Sequence, residues 1–77
     1  MAFIDIQIML DKKEETITIN TGFIYKIFRD KKNLTHSIVA YDYDYENTDT
    51  VLEDYDSLVK RVRDAEDGVE DEDPSIL

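Results

Sequence analysis

The chemically active residues of this chain are almost all carboxylates. Among 77 residues there are nineteen acids, one histidine and no cysteine. A pair of carboxylates can act as general acid and base when a cleft moves their two pKa values apart. Because a chain of this size buries only about 60 % of the surface that it exposes when unfolded, we expect no enclosed cleft.

Nucleophilic catalysis is also disfavoured. A serine nucleophile needs a histidine within hydrogen-bonding reach. His36 and Ser37 are neighbours on a predicted strand, where successive side chains point to opposite faces. The sequence therefore predicts a protein that is not an enzyme, with no catalytic residues.

A calcium loop is an alternative use of the acids. Counted from Asp42, oxygen-bearing side chains occupy the odd positions and the twelfth position of an EF-hand loop, namely Asp42, Asp44, Glu46, Thr48, Thr50 and Glu53. However, Asn47 replaces the glycine of the sharp turn, Asp49 stands at a normally apolar position, and the entering segment has the pattern of a strand. We expect no metal and no cofactor, and keep the calcium-binding loop as a less favoured alternative.

The negative charge is concentrated in the second half of the chain. Residues 1–36 contain six basic and five acidic residues, whereas residues 37–77 contain three basic and fourteen acidic residues, within a net charge of −10. This field would repel nucleic-acid phosphates. It favours a basic partner, such as the DNA-binding surface of another protein, although acidity also confers solubility.

The segments that must position these acids read as an antiparallel sheet and one helix. "FIDIQIMLD" and "TITIN" alternate apolar and polar residues around the polar connector "DKKEE", which predicts a β-hairpin. Residues 22–33 fit a strand or a helix, and their β-branched and aromatic content favours a strand. "THSIVAYDYDY" alternates with period two and predicts a strand that runs through Tyr45.

Apolar residues then recur at helical spacing, which predicts a helix over residues 51–66. Thr50 and Glu53 form a capping-box pattern at its start, and Gly68 suits its end. The predicted fold is therefore α+β, with an antiparallel sheet of three to four strands and one amphipathic C-terminal helix packed on one face. Residues 1–68 form the single domain, and residues 69–77 form an acidic flexible tail.

The predicted strand through Tyr45 would order the carboxylates. Alternate residues of a strand repeat every ~6.6–6.8 Å, a pitch similar to that of successive phosphates. The tyrosines on the opposite side would either pack on the sheet or serve as aromatic anchors of an interface. The predicted partner-binding residues are Asp42, Asp44, Glu46, Asp49, Glu53, Asp54, Asp56, Tyr41, Tyr43 and Tyr45.

In size, acidity and carboxylate rows such as "YDYDYENTDTVLEDYD", residues 41–73 resemble the DNA-mimic inhibitors of bacteriophages and mobile elements. These inhibitors share no common fold or diagnostic motif. The resemblance implies a protein that occupies the basic nucleic-acid-binding site of a host nuclease, repair enzyme, nucleoid protein or sliding clamp. The basic stretch "KIFRDKKN" departs from a uniformly acidic mimic and suggests a second contact or a self-association surface.

Other features bear on partners and location. No segment reaches the roughly 18 apolar residues of a membrane span, and no signal peptide is recognisable, so we expect a soluble protein in the cytoplasm, that of the host if it is phage-encoded. The thin core and exposed strand edges also allow a homodimer. A small scaffold or regulatory module that self-associates through its sheet is the first alternative function.

Overall fold

The computed structural model describes residues 2–72, and the side chains of residues 2–67. It contains five antiparallel strands in the order β2-β1-β5-β4-β3 and one helix. The elements are β1 (Phe3–Leu10), β2 (Lys13–Asn20), β3 (Lys26–Arg29), β4 (Ser37–Ala40), β5 (Thr48–Val51) and α1 (Tyr55–Glu72). The predicted α+β architecture is confirmed, with five strands rather than three to four.

The predicted first hairpin is present, with a shorter turn than expected. β1 and β2 pair along their whole length, from Phe3 opposite Asn20 to Leu10 opposite Lys13. Asp11 and Lys12 both have positive φ, 52° and 66°, as a two-residue hairpin turn requires. The predicted connector over residues 11–15 was therefore too long, because residues 13–15 belong to β2.

The ambiguous segment after β2 forms a short 3-10 turn and then the strand β3. The side chain of Asn20 accepts a hydrogen bond from the backbone N–H of Gly22 at 2.8 Å, which caps the turn over Thr21–Phe23. β3 then pairs with β4, with Ile27 opposite Val39. The preference for a strand in this segment is confirmed.

The fifth strand joins the two halves of the sheet. Val51 of β5 lies opposite Ser37 of β4 on one side and opposite Ile8 of β1 on the other. The backbone N–H of Leu52 continues the ladder by donating to the Gln7 carbonyl at 2.8 Å. The sequence predicts Val51 at the start of the helix, because a single buried apolar residue fits the period of a helix as well as that of a strand.

The core lies between one face of the sheet and α1. Ile4, Ile6 and Ile8 alternate inward from β1 with 8 %, 1 % and 3 % of their surface exposed. Leu58 of α1 is fully buried against them, together with Val39 and Val51, and Val62 and Ala65 pack at the margin of this cluster. The amphipathic helix packed on one sheet face is thus confirmed.

The helix boundaries differ from the prediction. α1 begins at Tyr55 rather than at Val51, and the carboxylate of Asp54 caps it by accepting the Ser57 N–H at 3.1 Å. The predicted Thr50–Glu53 capping box is therefore wrong, because Thr50 lies within β5. The predicted end at Gly68 is also wrong, since the helical backbone continues to Glu72.

The division into a domain over residues 1–68 and an acidic tail over residues 69–77 stays a prediction. Residues 69–72 belong to the helical backbone, and residues 73–77 lie outside the described part of the chain. Within residues 2–72, no helix has the length and apolar character needed to cross a membrane.

Leu58→Ala tests the thin core against a matched control. We expect it to lower the free energy of unfolding by about 2–5 kcal/mol, since it removes a fully buried side chain and leaves a cavity. Leu34→Ala makes the same chemical change at a side chain that is 71 % exposed, and we expect an effect within about 0.5 kcal/mol. Urea denaturation followed by circular dichroism measures both, and equal effects would contradict this assignment of the core.

Candidate functional site

The aromatic and acidic segment after β4 is a loop rather than a strand. β4 ends at Ala40, and the segment that we call the Tyr41–Asn47 loop turns back towards β5. The Tyr41 N–H donates to the Asn47 carbonyl at 2.9 Å, and the Tyr45 N–H donates to the Asp42 carbonyl at 3.2 Å. Tyr45 has a φ of 61°. The prediction of a strand through Tyr45, and of a carboxylate row at strand pitch, is therefore wrong.

Asp42 holds the loop together from within. Its Oδ1 accepts the backbone N–H groups of Glu46 and Asn47 at 2.9 and 3.3 Å, and its Oδ2 accepts the Asn47 side-chain amide at 2.6 Å. These bonds, led by that of the Asn47 side chain, lower the pKa of Asp42 below its usual value. They also explain why the strand ends here, because an aspartate that bonds to nearby amides favours a turn.

The three tyrosines of the loop have different environments. Tyr41 packs against the core cluster, and its hydroxyl donates to Asp49 Oδ2 at 2.8 Å. Burial, and then this hydrogen bond, raises the pKa of Tyr41 well above its usual value. Both Tyr41 and Asp49 are thereby engaged inside the protein.

Tyr45 folds back over the other face of the sheet. Its ring lies 5.9 Å from that of Phe28 and 6.4 Å from that of Tyr25, both in tilted arrangements. Lys26 Nζ donates to the Tyr45 hydroxyl at 3.2 Å, and this bond raises the pKa of Lys26. Tyr45 remains 46 % exposed, so it forms the edge of an aromatic surface next to the loop.

The outer part of the loop carries three side chains that face solvent. Tyr43 is 77 % exposed, and Asp44 and Glu46 are exposed on either side of Tyr45. Among the side chains of residues 2–67, neither Glu46 nor Tyr43 forms a hydrogen bond or ion pair. The Tyr43 ring and the carboxylates of Asp44 and Glu46, on a loop fixed by Asp42, can contact a cationic surface.

Glu53 belongs to a structural network. Its carboxylate accepts Arg61 Nε at 3.1 Å, Arg61 Nη2 at 2.8 Å and the Ser57 hydroxyl at 2.5 Å. Arg61 Nη2 also donates to the Asp5 carbonyl at 2.7 Å, in the part of β1 that no longer pairs with β5. The Arg61 guanidinium lowers the pKa of Glu53. This network ties α1 to β1.

The other predicted acids lie in separate places. Asp54 caps α1. Asp56 is 3.5 Å from Arg29, in an ion pair whose side chains are 79 % and 57 % exposed, and such pairs contribute little. Of the predicted site, the structure therefore brings together only Tyr43, Asp44, Tyr45 and Glu46 as an exposed group.

The spacing that suggested a calcium loop does not form one. Thr48 and Thr50 lie along β5, so the six proposed ligands do not surround one point. Among the residues whose side chains are described, no group of three or more acidic, histidine or cysteine residues is placed to hold a metal ion.

Ser37 has a structural role. It is fully buried, and its hydroxyl donates a hydrogen bond to the Glu53 carbonyl.

Sequence reasoning missed the residues that contact Tyr45 and the link from Arg61 to β1. Tyr25, just before β3, and Lys26, its first residue, approach Tyr45. The prediction of two neighbouring strands in this part of the chain could have indicated this contact. The Arg61 link to β1 has no sequence signal, because it spans 56 residues and depends on how far β5 follows β1.

Asp42→Asn and Asp67→Asn form a matched pair for the loop. Asp42→Asn removes the charge that the Glu46 and Asn47 amides point to, so we expect these two amides to lose protection in hydrogen exchange. Asp67→Asn makes the same change at an exposed position of α1 and should leave their protection unchanged. Two-dimensional NMR measures both, and equal protection in the two variants would contradict the role of Asp42.

The Glu53–Arg61 pair predicts a pH dependence of stability. The folded-state pKa of Glu53 lies below its ordinary value of 4.5, so the pair stabilises the fold above that pH and is lost as the pH falls through the folded value. Glu53→Gln should therefore reduce stability at pH 7 and have a smaller effect at pH 3. Urea denaturation at both pH values checks this, with Glu66→Gln on the exposed side of α1 as the control, and an effect of equal size at both pH values would contradict it.

Comparison with known proteins identifies no relative. No protein-family model, curated protein or solved structure matches the chain.

Proposed function

We propose that this chain is a non-enzymatic acidic binding protein that occupies the basic nucleic-acid-binding site of another protein and so inhibits it. The surface that makes contact is the Tyr41–Asn47 loop, with Tyr43 as its aromatic anchor and Asp44 and Glu46 as its anions. The partner is a DNA-processing protein such as a nuclease, repair enzyme, nucleoid protein or sliding clamp. The protein would act in the bacterial cytoplasm, as inhibitors encoded by bacteriophages and mobile elements do.

One observation supports this proposal above the others. Tyr43 is the most exposed large hydrophobic side chain of the described residues, at 77 %, and it lies on a loop whose backbone is held by Asp42. A tyrosine on a backbone that is already held in place loses less backbone entropy on binding, and tyrosine is enriched among the residues that dominate interfaces. The loop is thus preorganised for contact.

The chemistry of the loop is similar to that of a nucleotide. A nucleotide presents an anionic phosphate and a flat aromatic base, and proteins that bind single strands meet these with basic side chains and stacking surfaces. Asp44 and Glu46 would replace phosphates against lysine and arginine, and Tyr43 would replace a base. The imitation rests on this combination of groups and does not need the regular pitch of a strand.

The wider charge distribution favours the same class of partner. α1 carries six acids and no basic residue between Asp64 and Glu72. These acids lie outside the proposed contact and add to the long-range field that attracts a cationic partner, which would raise the rate of association without direct contacts.

The double reversal Asp44→Lys with Glu46→Lys tests the loop. We expect it to reduce capture of DNA-binding proteins from bacterial lysate at least about tenfold, because it places like charges against a basic surface. Duplex DNA should displace the proteins captured by the unmodified chain, and capture should weaken steeply as salt rises. Mass spectrometry of the eluted proteins measures these effects.

The matched control changes the net charge equally at another place. Glu66→Lys with Asp67→Lys alters two exposed acids on α1, outside the proposed contact, and should reduce capture only slightly. Equal losses in both double variants would show that net charge alone governs binding. Capture that ignores both salt and duplex DNA would overturn the proposal itself.

A further inference from the structure

We infer that the outer edge of β2 is an interface for a second copy of this chain, which adds its own β2 in antiparallel orientation about a two-fold axis. β2 is the end strand of the sheet and pairs only with β1 among the described strands. The resulting dimer would contain one continuous sheet of ten strands. This inference is independent of the proposed function.

The direction of the backbone groups identifies which residues are available at this edge. The Thr21 N–H donates to the Ala2 carbonyl at 2.9 Å, and the Gln7 carbonyl accepts from Leu52 on the opposite side of β1. Hydrogen bonding alternates along an antiparallel strand. The odd-numbered residues of β2 therefore bond to β1, and Thr16 and Thr18 direct their N–H and C=O groups outwards.

Residues 16–20 of this edge lack the usual protection against pairing. Edge strands are commonly shortened, bent by a bulge, or interrupted by proline or inward-facing charge. β2 has eight residues without proline or glycine, and it pairs with β1 in unbroken register. Its charges are confined to the end next to the hairpin turn, where Lys13 and Glu15 alternate onto the same face as Ile17 and Ile19, and residues 16–20 form an uncharged stretch. β3, at the other end of the sheet, has four residues with Lys26 and Arg29 at its ends.

The side chains of β2 are compatible with a second copy. Ile17 and Ile19 face the core side and are only half-buried, so an added strand would cover them. With Ile17 opposite Ile17 of the second copy, Thr16 faces Thr18 and Glu15 faces Ile19, and no two like charges meet. Cross-strand pairs of β-branched residues stabilise a sheet, which favours self-pairing over an arbitrary segment.

The charge distribution also permits self-association. β2 lies in the first half of the chain, which has a nearly balanced charge, whereas the acidic excess lies in residues 37–77. Repulsion between two copies then acts over distance and is screened by salt. Dimerisation should therefore hold or strengthen as salt rises, whereas the proposed binding of a basic partner should weaken. The two opposite salt responses distinguish a failure of the dimer inference from a failure of the proposed function.

Thr18→Pro tests this interface with Thr18→Ala as its matched control. Both variants lose the hydrogen bond from the Thr18 hydroxyl to Asp5, which measures 2.6 Å. Only proline also removes the outward N–H, and proline is tolerated at an edge whose N–H faces solvent. We expect Thr18→Ala to dimerise like the unmodified protein and Thr18→Pro to weaken dimerisation at least about tenfold, through two lost hydrogen bonds per dimer and the added rings. Sedimentation velocity over a range of protein concentrations measures the difference.

A second measurement does not depend on any variant. In the unmodified protein, the Thr16 and Thr18 amides should become more protected in hydrogen exchange as protein concentration rises, while the amides of the Tyr41–Asn47 loop should not. A purely monomeric protein at millimolar concentration would overturn the inference, even if β2 bound some other chain. Equal dimerisation of folded Thr18→Pro and Thr18→Ala would also overturn it.

Discussion

The structure depends on the burial of one apolar sheet face under a single helix. Ile6 of the sheet and Leu58 of α1 are almost fully removed from solvent, and the helix has no second layer to support it within the described residues. A core this thin leaves little free energy to spare. Polar contacts also hold α1 at its start and along its first half, namely the Asp54 cap and the bonds from Arg61 to Glu53 and β1.

These contacts divide the carboxylates into two groups. Asp42, Asp49 and Glu53 accept hydrogen bonds within the molecule, so the fold already uses part of their capacity to accept hydrogen bonds. Asp44 and Glu46 lie in the same short segment and remain exposed. Asp42 stabilises the loop and so holds Asp44 and Glu46 in place. It is therefore a positioning residue for the proposed contact.

Periodicity predicted the long elements because burial alone determined them. The isoleucines of β1 and the stripe that includes Leu58 each fit a single period, so the strand and the helix were both predicted, although α1 begins at Tyr55 rather than at Val51. β5 was missed because its four residues carry one buried apolar side chain, Val51. The tyrosines and aspartates after Ala40 follow the period of a strand, yet local hydrogen bonds of Asp42 turn the chain. Alternation identifies a strand only when nearby side chains do not compete for the backbone, and the distinction between structural and exposed acids needed the three-dimensional contacts.

The most direct measurement of the central claim is an NMR titration of the isotope-labelled chain with a DNA-binding protein that it captures. We expect the largest changes in amide signals to fall on residues 43–46, and added duplex DNA to reverse them. Changes confined to α1, to the outer edge of β2, or to neither, with residues 43–46 unaffected, would contradict it.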